Sequence, residues 1–432
     1  MTEQLKQLFR SKLTEPAQAV QLVQNGDRVF VGVCTSVANV LCDALADRAD
    51  DLEVIEICGA MLPAQFRLLD HRGFRVNTYF MGAKERECWR QGRADFTSVH
   101  LSQVDRWCRE TAPADVAFLE VSTPDEEGYM SFGASGVALH TYVRQAAKRT
   151  ILQINANVPY VFGEENRIHI SQADAVVCGN TPLMEDPGLA FSDTIQTISS
   201  YIIDQIPDGA CIQLGLGGVS NAVGYGLKGK NDLGAHSELM TDSIMELMKL
   251  GVVNNSRKTW HQGQTVAAFS LGSAELYRFI DHNPQMYFMP FPLVNNPVNI
   301  AKNDNMISVN TALSIDLFGQ VNADNFAGRQ YSATGGQVDF LTGASMSKGG
   351  KSFICVASSR GGKSFLAITS TVDNKKIGQS SRIVAQFPTG TAVTTPRSDV
   401  QYVVTEYGCV DLKPLCMRDR ARALIRLAHP DF

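Results

Sequence analysis

Apolar and polar positions along this chain fall into blocks that switch between two periods. Residues 15–24 carry a helical spacing that stops at Asn25-Gly26. The run "DRVFVGV" (27–33) is continuously apolar, the mark of a strand covered on both faces. "SVANVLCDALADRA" (36–49) returns to a helical period, with apolar side chains at 37, 40, 41, 44 and 45. Further strands follow at "LEVIEICG" (52–59), "VAFLEVS" (116–122), "TILQINA" (150–156) and "AVVCG" (175–179). Strands alternating with helices predict an α/β fold with a mostly parallel, covered sheet.

The stretch "GNTPLMEDPG" (179–188) has no period and is rich in turn formers. It marks the boundary between two tandem open α/β domains, residues 1–185 and 186–432. The second restarts with a helix over 190–206 and a strand, "ACIQLGLGG" (210–218). Later, "GGKSFICVASS" (349–359) is followed by "GGKSFLAITST" (361–371). Such a short unit cannot build a solenoid and predicts two strands of a hairpin with glycine-rich turns.

Composition sharpens this picture in four ways. At 432 residues the chain exceeds one ordinary core, which agrees with two domains. A formal net charge of −5 argues against a nucleic-acid partner. No run reaches the ~18 apolar residues of a membrane span, and "MTEQLKQLFRSKL" has no signal core. The ten cysteines contain no CxxC pair and no compact Cys/His cluster, so no metal site is expected. Their apolar surroundings suit the buried thiols of a reducing cytoplasm.

Candidate chemistry gathers after residue 210. "CIQLGLGGVSNAV" (211–223) reads as strand, glycine turn and helix start, where backbone N–H groups can meet an anion or a carbonyl oxygen. A dinucleotide fingerprint would need a third glycine where Ser220 stands, and no phosphate-binding GxxxxGK[ST] is present. Glu238, in "LGAHSELMTD" (233–242), lies ahead of a helix in "DSIMELMKLGVV". Ser243 and Glu246 fit a capping box for that helix, and Gly251 ends it. Glu238 is therefore expected at a strand-to-helix edge, where open α/β sheets hold their ligands. A carboxylate there serves equally as base, metal ligand, nucleophile or ordinary loop residue. His236 is placed to bond that carboxylate or to pack in the loop. No serine or cysteine has the nucleophile-elbow context of a hydrolase triad.

Longer motifs carry a resemblance. "GLGGVSNAV", "LGAHSELMTD", "GSAELYRFIDHNP", "NPVNIAKNDNMISVNTALSIDLFGQV", "TGGQVDFLTGASMSKGG", "SRIVAQF", "TEYG" and "RARALIRLAHPDF", with "GYMSFGAS" and "QINANVP" earlier, make the chain similar to the acetyl-CoA hydrolase/transferase family, on the side of the 4-hydroxybutyrate and butyrate CoA-transferases. The resemblance implies CoA-transferase-type domains and a glutamate nucleophile matching Glu238. It implies a CoA-binding loop over Gln213, Leu214, Gly215, Leu216 and Gly217, with a further CoA contact at Leu313 in "SVNTALSID". It also implies an oxyanion loop in "TGGQVDF" (334–340), chiefly Gly335 or Gly336, ahead of a predicted strand. Gly336 is expected to touch both the reacting carbonyl and CoA. Ser220 departs from the family's usual proline, and Ser243 from its frequent glycine. Glu406 resembles the nucleophile of a related transferase group but is expected to line or support the site, and Arg329 to meet a CoA phosphate or lie on the surface.

The activity so implied moves CoA between a short-chain acyl-CoA, of 4-hydroxybutyryl or butyryl type, and a carboxylic acid such as acetate, through a glutamyl-CoA thioester. Hydrolysis of the same intermediate is the alternative, and CoA or nucleotide binding without turnover a more distant one. CoA thioester enters as substrate, with no permanently bound cofactor. A cytoplasmic homo-oligomer without membrane or nucleic-acid partners is expected.

Overall fold

A computed structural model describes residues 1–186, 188, 191–326, 328–357, 359–360 and 380–432. They form two compact units. The first comprises Met1–Asp186 together with Ala267–Leu293, the second Pro187–Val266 together with Val294–Phe432.

The first unit is built on seven strands: β1 (Arg28–Val33), β2 (Ile55–Ala60), β3 (Phe74–Thr78), β4 (Ala94–Phe96), β5 (Val116–Val121), β6 (Arg149–Asn155) and β7 (Ala175–Gly179). Their order is β4-β3-β2-β1-β5-β6-β7, parallel throughout. All six residues of β5 are buried, Glu120 among them, as suits a central strand covered on both faces. Val29, Val31, Ile55, Ile57, Phe74, Val76 and Phe118 fill the core below the helix Asn39–Asp47. Each such side chain, fully buried, contributes about 1.5–3 kcal/mol. The segment 267–293 joins this unit through backbone bonds. Phe288 N–H donates to Phe162 O at 2.8 Å, Glu164 N–H to Phe288 O at 2.9 Å, and Phe291 N–H to Ala138 O at 3.1 Å. Gly163 (φ +149°) lets the two chains approach this closely, since a Cβ there would strike the Phe288 carbonyl.

Within the second unit, six strands line up as β9-β8-β10-β11-β12-β13. They are β8 (Cys211–Leu214), β9 (Gly234–Met240), β10 (Met306–Thr311), β11 (Lys351–Cys355), β12 (Tyr402–Thr405) and β13 (Gly408–Asp411). All neighbours are parallel except the hairpin of β12 and β13. Three helices matter below: α1 (Gly218–Gly226), α2 (Asp242–Lys249) and α3 (Gln337–Met346).

Several expectations change. The helix expected over 190–206 runs Asp193–Ile203, capped by Ser192 Oγ on the Ile195 N–H. The glycines end β8 at Leu214, well short of 218. α2 starts at Asp242 behind Thr241, ahead of the expected capping box. Ser243 Oγ bonds Thr241 Oγ1 at 2.9 Å, and Glu246 pairs with Lys228 at 3.1 Å. The strand expected after Gly336 is α3. β11, in the first GGKSF copy, is flanked by β10 and β12. The hairpin expected with 361–371 falls on residues outside those described. Among those described, no helix is long and apolar enough to cross a membrane.

Candidate active site

Glu238 sits inside β9, two residues before the strand ends, and not in a loop beyond it. β9 and β8 pair in parallel with Cys211 opposite Gly234 and Ile212 opposite Ala235. Carried forward, that register sets Gly215 level with Glu238. The carboxylate and the glycine turn thus share the C-terminal edge of neighbouring parallel strands, where such sheets expose free backbone groups and helix N-termini.

Two groups hold the Glu238 carboxylate. Asn295 Nδ2 donates to Oε2 at 2.8 Å. The backbone N–H of Gly336, the residue capping α3, faces the same carboxylate and favours its ionised form. The anion therefore lies at the positive end of a ten-residue helix. A Cβ on Gly336 would overlap both Glu238 Oε2 and Asn295 Nδ2, so the backbone reaches the carboxylate only because this residue is glycine. Gly335, just before it, takes φ +58° and turns the chain into the helix. The Glu238 side chain is half-buried. Removal of its carboxylate from water raises its pKa from 4.5 to about 7, and Asp339 in the first turn of α3 adds repulsion. The Asn295 and Gly336 bonds act the other way.

His236 shares Glu238's face of β9 but turns to other partners. Its ring contacts Val294 O through Nε2 at 2.8 Å and Asn303 Nδ2 through Nδ1 at 3.3 Å. A carbonyl partner fixes the proton on Nε2 and leaves Nδ1 to accept. The ring packs against Trp260 and Phe340, and burial lowers its pKa to about 3, so it stays neutral. Of its two expected roles the structure has the packed one, and its bond to Val294 steadies the residue preceding Asn295.

The glycine turn divides into buried and open positions. Leu214 is buried, and its N–H meets Ser237 Oγ at 3.4 Å. Gln213 is buried and turned into the sheet, where Oε1 accepts from Ser308 Oγ at 2.7 Å and Asn310 Nδ2 at 3.1 Å. Its side chain is occupied by the sheet. Gly215 N–H donates to Val309 O at 2.9 Å, Leu216 is exposed, and Gly217 takes φ +132°, a conformation almost confined to glycine. Leu313, half-buried, donates its N–H to Asn322 O at 2.8 Å. Ser220 is buried in α1, its hydroxyl 3.4 Å from Val309 O. Glu406 occupies the turn joining β12 to β13, and Arg329 is an exposed residue of the short strand Arg329–Gln330. Neither is among the groups that hold Glu238.

Asn295 and Asp339 escaped sequence reasoning. Asn295 follows Glu238 by 57 residues in a loop whose composition signals only a turn. Asp339 carried a usable signal, since an acidic residue three places after a glycine pair suits a helix's first turn. Among the described residues, no cluster of three His, Cys, Asp or Glu side chains could hold a metal ion.

A carboxylate of raised basicity, met by an N–H at a helix end and level with a glycine turn, is the equipment of an acyl-transfer site. The model of the acetyl-CoA hydrolase/transferase N-terminal domain matches residues 2–185, and that of the C-terminal domain matches 272–360 and 357–432. The chain belongs to the acetyl-CoA hydrolase/transferase family. It is 38% identical to the 4-hydroxybutyrate coenzyme A transferase of Clostridium kluyveri, over 99% of this chain and 96% of that protein. The butyryl-CoA:acetate CoA-transferase of Anaerostipes caccae is 35% identical, over 99% of this chain and 95% of its own. Among solved structures, RipA from Yersinia pestis superposes with a TM-score of 0.89 at 35% identity, covering 99% of this chain and 96% of that one.

Proposed function

We propose that this protein is a CoA-transferase that moves CoA from a short-chain acyl-CoA, of 4-hydroxybutyryl or butyryl type, to a carboxylic acid such as acetate, with Glu238 as covalent nucleophile. The observation that carries the reading is the Glu238 carboxylate held by Asn295 Nδ2 at 2.8 Å and set against the Gly336 backbone at the start of α3. The names of the two relatives above support the substrate class.

That geometry supports the reaction so proposed. A Glu238 oxygen attacks the thioester carbonyl, the C–S bond breaks, and a mixed anhydride and CoA thiolate form. The thiolate adds to the glutamyl carbonyl and the original acid leaves, so Glu238 carries CoA as a thioester. The acceptor carboxylate runs the same steps in reverse. Glu238's raised pKa makes its anion more basic, and hence a better nucleophile, than an ordinary carboxylate. When thiolate adds to the glutamyl carbonyl, negative charge grows on the oxygen that the Gly336 N–H already faces. Such a fixed donor is typically worth about 10²–10³ in rate. The turn from Gln213 to Gly217, with Leu313, holds the CoA arm. The ten thiols, none of them bridged, suit the reducing cytoplasm of this reading, which takes the active form as a homo-oligomer.

The test is chemical capture. Exposure to butyryl-CoA followed by borohydride should reduce the thioester at Glu238, seen as a single modified peptide, and Glu238→Gln should give no adduct and no transfer. An adduct at Glu406 instead would move the nucleophile there. Thioester loss that proceeds equally well without acetate, with no acetyl-CoA formed, would assign the hydrolase activity.

A further inference from the structure

Gln337 follows Gly336 and opens α3, with only 7% of its surface exposed. Its amide is engaged at both ends, and by segments far apart in the chain. Nε2 donates to Thr311 O at 3.1 Å, where β10 ends. Oε1 accepts from Thr395 Oγ1 at 2.9 Å. Thr395 is itself pinned by an exchange of backbone bonds with Val321, at 3.0 and 3.1 Å. Thr311 borders the glycine turn, for its Oγ1 would lie 3.5 Å from a Cβ placed on Gly217. One buried side chain thus links the residue after Gly336 to the strand end beside Gly217.

We propose that Gln337 is a positioning residue for the transfer reaction, bracing the first turn of α3 against the end of β10 and against Thr395 so that the Gly336 N–H stays aimed at Glu238. The proposal rests on the reading of Glu238 as nucleophile. A hydrogen bond weakens steeply once its donor moves or tilts, whereas charge repulsion falls only gradually with distance. A slackened first turn would therefore lose the Gly336 bond while Asp339, in the same turn, went on repelling Glu238. The two effects add, and the carboxylate becomes harder to ionise. A Gln337 that only fills space would leave that ionisation unchanged.

Two variants test this. Gln337→Leu removes both bonds at similar volume, and Thr395→Val removes one with little change of shape. The readouts are kcat and KM for butyryl-CoA, and the ionisation of Glu238 in the free protein. The latter is followed by isotope-edited infrared of labelled carboxylates, with the Glu238 band identified by its loss in Glu238→Gln. Gln337→Leu is expected to lower kcat by about 10²-fold, the scale of a small misplacement at a reacting centre, with KM little changed. The Glu238 midpoint should move upward from about 7. Thr395→Val should shift both in the same direction by less, and the double variant should do no worse than Gln337→Leu alone, because both act through one side chain. An unmoved midpoint, or losses that add in the double variant, would overturn the brace. If Gln337→Leu fails to fold, the Thr395→Val midpoint decides. If Glu238→Gln retains full transfer, the nucleophile assignment falls, while the infrared midpoint still reports on Gln337 and Gly336.

Discussion

Glu238 shows how far a single side chain's surroundings can be turned into a measurable expectation. In the proposed mechanism the attacking form is the carboxylate, and burial pushes its pKa up to about 7. The rate of the first half-reaction with acyl-CoA under kcat/KM conditions should therefore rise about tenfold per pH unit below that point and level off above it. A flat profile between about pH 5.5 and 8 would contradict this. The same elevation weakens the fold on the alkaline side. Between 4.5, the pKa without burial, and about 7, the folded protein keeps the Glu238 proton while the unfolded chain has released it. Stability from this group is therefore full below 4.5 and declines as pH rises to about 7. Glu238→Gln does not titrate and keeps an oxygen for Asn295 and Gly336. Its melting temperature relative to the parent should thus climb from about pH 5 to about pH 8, and a constant difference would argue against a buried carboxylate. Glu238 was legible in the sequence because its neighbours form a recognisable run. Asn295 was not, since only the return of a distant loop brings it to the carboxylate.

Elements were read well where one period ran unbroken and poorly where glycine intervened. The continuous apolar run of β1, and that of β5 broken only by Glu120, announced central strands. "LGAHSELMTD" was placed at a strand-to-helix edge without a strand range of its own, because glycine, histidine and serine mask a strand that is nearly all buried. "TGGQVDFL" was read as leading into a strand because valine and phenylalanine fit one, yet its Asp339 sits in the first turn of α3. The turn after β8 gives a sharper contrast. At Gly217 a Cβ would meet nothing closer than Thr311 Oγ1, at 3.5 Å, so the obstacle to a side chain is the φ of +132° itself. At Gly215 a Cβ would approach Asn310 Oδ1 to 2.9 Å and Val309 O to 3.1 Å, so there the obstacle is space. Gly217→Ala should refold the turn to escape a penalty of about 1–3 kcal/mol, and CoA binding by calorimetry should weaken about tenfold or more with little change in melting temperature. Gly215→Ala should instead lower the melting temperature by disturbing the Gln213–Ser308–Asn310 network. Unchanged CoA affinity in Gly217→Ala would remove the turn from the binding site.

On the scale of the whole molecule, the two units are not two consecutive stretches of chain. Residues 267–293 belong with the first unit, although 187–266, in the second, come before them. The segment brings buried Leu276, Ile280, Met286 and Phe288 and the backbone bonds to Phe162 and Ala138. Residues 1–186 expressed alone should therefore unfold without a cooperative transition, and joining 267–293 to them through a flexible linker should restore one. A sharp melt of 1–186 by itself would show the segment to be dispensable. The arrangement also fixes a timetable for a chain leaving the ribosome. The first unit cannot close when its main stretch has emerged. It must wait, with the edge at Tyr160–Gly163 unpaired, while the β8 and β9 sequences appear and begin to fold. Newly made chains should pass through a long interval in which this edge is open to chaperones, and that interval ends only when residue 293 is free of the exit tunnel.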